Sequence, residues 1–119
     1  MCLSENIVPT KKRIGYKLVY KVKAKKYKSY YFEVALPKIG VKTKASKSCI
    51  VGLQHERSAG LWHAWPTLKL ARSHKDCFDY ADGVILKVAF SGRRVIENKP
   101  DDMFPQFAGE YMTIIEEVE

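Results

Sequence analysis

The sequence predicts an α+β fold: a single domain with a mainly antiparallel sheet of about five to seven strands and one principal helix over roughly residues 67–81. Three observations carry this reading. Apolar and basic residues alternate at period two in separate stretches, as half-buried strands require. The stretch behind Thr67 instead spaces its apolar residues at helical intervals after an N-cap residue. The glycines at 15, 40, 52, 60, 83, 92 and 109 are scattered one per turn, as a strand-rich chain uses them. With 119 residues, 46% of them hydrophobic, the chain has material for one continuous core.

Residues 1–12, with Pro9 and polar or basic neighbours, read as a flexible basic arm ahead of a domain spanning 13–119. Beyond Arg13, one face holds Ile14, Tyr16, Leu18, Tyr20, Val22 and Ala24, and the other Lys17, Lys21 and Lys23. This predicts a strand with outward lysines. "AKK" turns the chain into a second run, "YKSYYFEVAL", which Pro37 ends. "GVKTKA" opposes Val41, Thr43 and Ala45 to Lys42 and Lys44 and makes a short strand. Residues 46–58 read as a loop, with room for a short strand around Ile50 to Leu53.

"GLWHAW" is a strand stopped by Pro66, and Thr67 caps a helix whose apolar stripe is Leu68, Ala71, Cys77, Phe78 and Ala81. Asp82-Gly83 ends the helix and turns into "VILKVAFSG", where Val84, Leu86, Val88 and Phe90 point one way. "RRVI" extends that strand beyond a bend, and "EYMTIIEEVE" closes the chain as a last strand.

Charge is unevenly placed. The formal net charge is +8, from 21 Lys+Arg against 13 Asp+Glu. Residues 1–50 hold 13 of those cations and two acids (+11), leaving eight cations and 11 acids in residues 51–119 (−3). A lysine-rich half attracts anions and speeds encounter with phosphates, and equally serves as a solvated face. Cys2, Cys49 and Cys77 are odd in number and widely spaced, which favours reduced, buried thiols over a disulfide framework. No apolar run approaches the ~18 residues of a membrane span, and "MCLSENIVPTKKR" lacks a signal-peptide core. A soluble, cytoplasmic protein that does not engage membranes is expected.

Catalytic and metal signatures are weak. His55, His63, His74, Cys49 and Cys77 show no zinc-ligand spacing, so neither a metal nor any other cofactor is expected. Serine in a Gly-x-Ser-x-Gly turn and a phosphate-cradling glycine loop are both absent, and no catalytic residue is assigned. The remaining signal is basic residues interleaved with aromatics, in "KKYKSYYF", "GYKLVYKVK", "GLWHAW" and "SGRR". Bases stack on aromatic faces while Lys and Arg contact phosphates, although strand tyrosines also serve plain packing. Arg93-Arg94 is the sharpest candidate, because guanidinium groups pair bidentately with phosphate and the pair follows the end of a hydrophobic strand.

In "AGLWHAWPT", alternation puts Leu61, His63 and Trp65 on one face and Trp62 with Ala64 on the other, so the tryptophans cannot share one stacking platform. Trp65 reads as the anchor where strand meets helix, His63 as a packed residue satisfied by a hydrogen bond, and Trp62 as the aromatic left for a ligand.

The order of elements resembles that of a group of small phage-encoded proteins. The pieces are Tyr16-Lys17, Lys26 to Ser29, Gly40 to Ala45, Gly60 to Ala71 and Val84 to Gly92. Within that group the chain is similar to the phage Thoeris anti-defence sponge proteins. The resemblance implies a non-enzymatic homo-oligomer in the host cell cytoplasm that sequesters cyclic nucleotide-type immune signals in pockets between protomers. No ligand-contacting residue is carried over from that family by position.

The leading expectation is therefore a binding protein that sequesters a phosphate-bearing, nucleotide-type ligand without turnover. Arg93 and Arg94 would hold phosphate, Lys42 and Lys44 would add electrostatic support, Trp62 would stack on the base, and Arg57 is a loop candidate. The alternative is a basic nucleic-acid-binding module, or an inhibitor of a nucleic-acid enzyme such as an anti-CRISPR that engages a host defence protein. A third reading is a nucleotide-handling transferase using Glu110 or Glu116.

Overall fold

The computed structural model describes residues 7–23, 26–29, 36–45, 61–77, 83–98 and 106–119. In chain order the elements are β1 (Ile7–Pro9), β2 (Ile14–Lys23), β3 (Lys26–Ser29), β4 (Thr43–Lys44), β5 (Trp62–Ala64), α1 (Leu68–Cys77), β6 (Gly83–Asn98) and β7 (Phe107–Glu117). All strand pairings are antiparallel and join one sheet along the path β3-β2-β6-β7-β4, with β1 added to β6 and β5 to β7. Among the described residues, seven strands with one helix make the α+β class.

The sheet curls until it meets itself. Trp65, one residue past β5, exchanges two backbone hydrogen bonds with Tyr16 of β2, at 2.7 and 2.8 Å. Strands β2, β6, β7 and β5 thus form a closed ring. Its interior is packed by Val19, Trp62, Ala64, Leu86, Val88, Phe90, Phe107, Met112 and Ile114, drawn from all four strands. The Phe90 and Phe107 rings lie 4.8 Å apart there, in tilted contact. Closure needs a small residue at the corner: a Cβ at Gly15 would sit 2.8 Å from the Phe107 ring and 3.1 Å from the Trp65 carbonyl oxygen.

Helix α1 covers the outside of the ring. The Thr67 hydroxyl accepts the Leu70 N–H at 3.2 Å, the geometry of an N-cap. Ala71, Leu68 and Leu70 pack on Leu18, Trp65 and Ile85, so Trp65 is the strand-to-helix anchor. The Trp65 and His74 rings are 4.7 Å apart. The expected stripe fails at Cys77, which is exposed. A row of residues three apart drifts around a 3.6-residue helix, and by Cys77 it has rotated off the sheet. Phe78 and Ala81 of that stripe lie outside the described residues, as do Cys2 and Cys49.

Three further expectations change. Residues 7–9 of the expected arm form β1, paired with Pro9 opposite Ile96. Lys17 is buried and not outward: both faces of the middle of β2 are covered, Leu18 by α1 and Val19 by the ring interior, and Lys17 shares the inner face, whereas Ile14 and Val22 at its ends are exposed. His63 is buried as expected, yet its Nε2 has no hydrogen-bond partner among the described residues. The region 46–58 lies outside the described residues. Among the described residues, no helix is long and apolar enough to cross a membrane.

Candidate functional site

Halfway along β6 the ladder to β7 breaks. Ser91 pairs with Tyr111 and Val95 with Gly109, so Gly92, Arg93 and Arg94 stand opposite the single residue Glu110. This is a bulge, which re-aims side chains out of the regular pleat. Gly92 makes it possible in two ways. Its φ of 106° is open to glycine and strained for other residues. A Cβ there would also meet Glu110 Oε1 at 2.9 Å and Tyr111 Cδ2 at 3.0 Å. The Glu110 carboxylate pins the loop by accepting the Arg94 backbone N–H at 2.6 Å, leaving the exposed guanidinium groups of Arg93 and Arg94 to ligand or solvent.

On the far side of β7, Lys44 pairs with Tyr111 and Thr43 with Met112. Met112 and Phe90, themselves paired, are in the core. Directly paired residues share a face and successive residues alternate, so Lys44, Tyr111 and Ser91 form a row on the outer face. Lys42, two residues from Lys44, joins them with its Nζ 4.9 Å from the Tyr111 ring centroid. A cation over a half-buried tyrosine at the surface is worth about 0.5–1 kcal/mol and holds the ring in place.

The connection from β1 to β2 flanks the bulge on its other side. Thr10 N–H donates to the Val95 carbonyl at 2.9 Å and Phe90 N–H donates to the Arg13 carbonyl at 2.6 Å. Exposed Lys11, Lys12 and Arg13 therefore lie alongside residues 91–94. Segments far apart in sequence are thus brought together into one cationic band: Lys42 and Lys44, then Tyr111, then Arg93 and Arg94, then Lys11 to Arg13.

The sequence-predicted site residues divide accordingly. Lys42, Lys44, Arg93 and Arg94 converge around the outer stretch Glu110 to Met112 of β7. Trp62 does not join them: its side chain is in the ring interior and its indole N–H donates to the Thr43 carbonyl at 2.9 Å. It thereby props β4, which carries Lys44, from beneath. Arg57 lies outside the described residues. Tyr111 is the aromatic that sequence reasoning missed. Its signal was the alternation within "EYMTII", where Met112 and Ile114 are buried and leave Tyr111 facing out.

Inside the ring, Lys17 Nζ donates to the His63 carbonyl at 2.7 Å. Burial, and then the neighbouring Lys17 charge, pull the His63 imidazole down to about 3, so it is neutral across the physiological range. Both side chains are buried, Lys17 on the inner face of β2 and the imidazole on the face of β5 opposite Trp62 and Ala64, so the pair is structural in position. Among the described residues, no group of three or more His, Cys, Asp or Glu is placed to hold a metal ion.

The molecule is thus a curled α+β sheet displaying an outer cationic band around one tyrosine. No protein-family model matches the chain, and neither a curated protein nor a solved structure matches it significantly.

Proposed function

We propose that the protein binds a phosphate-bearing, nucleotide-type ligand on the outer face of the sheet and holds it without turnover. The observation that supports this best is the convergence of Arg93, Arg94, Lys42 and Lys44 on Tyr111 from two segments flanking β7. Arginines contact phosphate bidentately, the lysines raise the local anion concentration, and the tyrosine offers a face to a base. Glu110 accepts the Arg94 backbone N–H of the bulge, the role of a positioning residue. In the sponge reading that the phage resemblance suggests, the ligand is a cyclic nucleotide-type signal withdrawn from a host defence system. The face is open, so a second protomer laid over it would complete the pocket.

Calorimetry with a panel of cyclic mono- and dinucleotides tests the reading. Arg93→Ala/Arg94→Ala should weaken binding by at least about 10- to 100-fold, the range for losing even one charged hydrogen bond with a worth of roughly 1.5–3 kcal/mol. Equal affinity in wild type and variant removes the bulge from the site. Ligand recovered chemically altered, by mass spectrometry, moves the protein to the enzyme class.

A further inference from the structure

We propose that the ligand of this band is a single strand of nucleic acid, a deepening that rests on the phosphate-binding reading above. The band crosses three inter-strand spacings, from β4 through β7 and β6 to the segment before β2, which is roughly 14 Å at about 4.8 Å per step. Exposed cations stand at both ends and in the middle: Lys42 and Lys44, Arg93 and Arg94, Lys12 and Arg13. A lone nucleotide could engage only part of that length. Small-ligand sites also bury about 70–90% of their occupant, whereas every one of these cations is on an open surface.

At the Lys12–Arg13 end the band runs into a groove of about 450 Å³, walled by Tyr16, Pro66 and Thr67 with Lys12 and Arg13 on its rim. Tyr16 there, level with Lys87 of β6, and Tyr111, level with Ser91, give two separated aromatic surfaces flanking β6, with the arginine bulge just beyond Ser91. Alternation of stacking surfaces with phosphate-contacting cations is how proteins track an unpaired strand, because each base offers a π-face and each linkage a charge. A duplex keeps its bases stacked on one another and would leave both tyrosines unused.

Fluorescence anisotropy with labelled ten-nucleotide dT and rU strands tests this on the full chain. The expected result is binding with a slope of log K against log salt of about −2 to −3, the signature of three to four phosphates on a single strand. Lys12→Ala/Arg13→Ala should make that slope shallower by about 1.4. Tyr111→Ala should weaken binding by about 5- to 150-fold. The dT and rU arms decide between DNA and RNA as the source of the strand. Lys23→Ala/Lys26→Ala, on the β2–β3 hairpin, should bind as wild type does; an equal loss there would mean diffuse attraction to a basic protein and overturn the band. Duplex bound as tightly as single strand also overturns it. If a mononucleotide binds as tightly as the strands, with a shallow salt slope, this inference fails while the nucleotide-binding reading stands. If neither binds, both fail.

Discussion

Acidifying the solution from pH 7 to pH 5 should destabilise the protein by about 2 kcal/mol through His63 alone. Its imidazole is held near 3 in the folded chain by burial and by Lys17, against 6.5 when exposed. At pH 5 the unfolded chain protonates this side chain by about 30 to 1, while the folded chain leaves it neutral. The unfolded state then binds the extra proton, so stability falls with falling pH across the window from 6.5 towards 3, and is fully present above it. Urea unfolding at both pH values, in wild type and His63→Leu, isolates the effect. The substitution suits the site, since His63 pairs with buried Ala108 in register and the Lys17 bond goes to the backbone carbonyl. It also removes a buried Nε2 that lacks a partner among the described residues. Other acid-sensitive groups are common to both proteins, including His74, lowered mainly by burial, and Glu119, lowered by Arg72. A wild-type loss exceeding that of the variant by less than about 0.5 kcal/mol would refute the assignment of a neutral, enclosed His63.

Gly92→Ala should cost about 1–2 kcal/mol in denaturant unfolding, from the positive φ alone, and should weaken nucleotide binding because the added Cβ collides with the Glu110 side chain that pins the bulge. Trp62→Phe keeps the ring interior mostly filled but removes the indole N–H that donates to the Thr43 carbonyl; a loss of about 1–3 kcal/mol in thermal or chemical unfolding is expected. Its binding defect should vanish under conditions where the variant is fully folded, whereas that of Tyr111→Ala should persist.

The parts of the fold legible in the sequence are those written locally. Thr67 and the residues behind it specified α1 and its start, and the Val84 to Phe90 alternation specified the first half of β6. Gly92 between "AFS" and "RRVI" announced the bend that proved to be a bulge. Lys17 was unreadable because a period-two pattern assigns apolar and charged faces as though only one were covered. In β2 the helix covers one face and the ring the other. β1 is three residues long and ends in proline, too short to show a period. The site was half visible: the arginines and lysines stood out by charge, but their meeting at Tyr111 depends on β4 and β6 flanking the same stretch of β7, a non-local pairing that composition does not encode.

The two ends of the hydrogen-bonded path have a consequence of their own. A terminal strand offers unpaired amides and carbonyls to any passing chain, and among the described residues β3 and β4 are the terminal strands of the path. Their described stretches are short, and both are studded with lysine: Lys26 and Lys28 on one, Lys44 with its neighbour Lys42 on the other. Short length and like charge are what discourage strand-by-strand addition. Lys42 and Lys44 therefore guard a self-association route as well as attracting anions, and neutralising them should lower solubility at high protein concentration before any ligand is added.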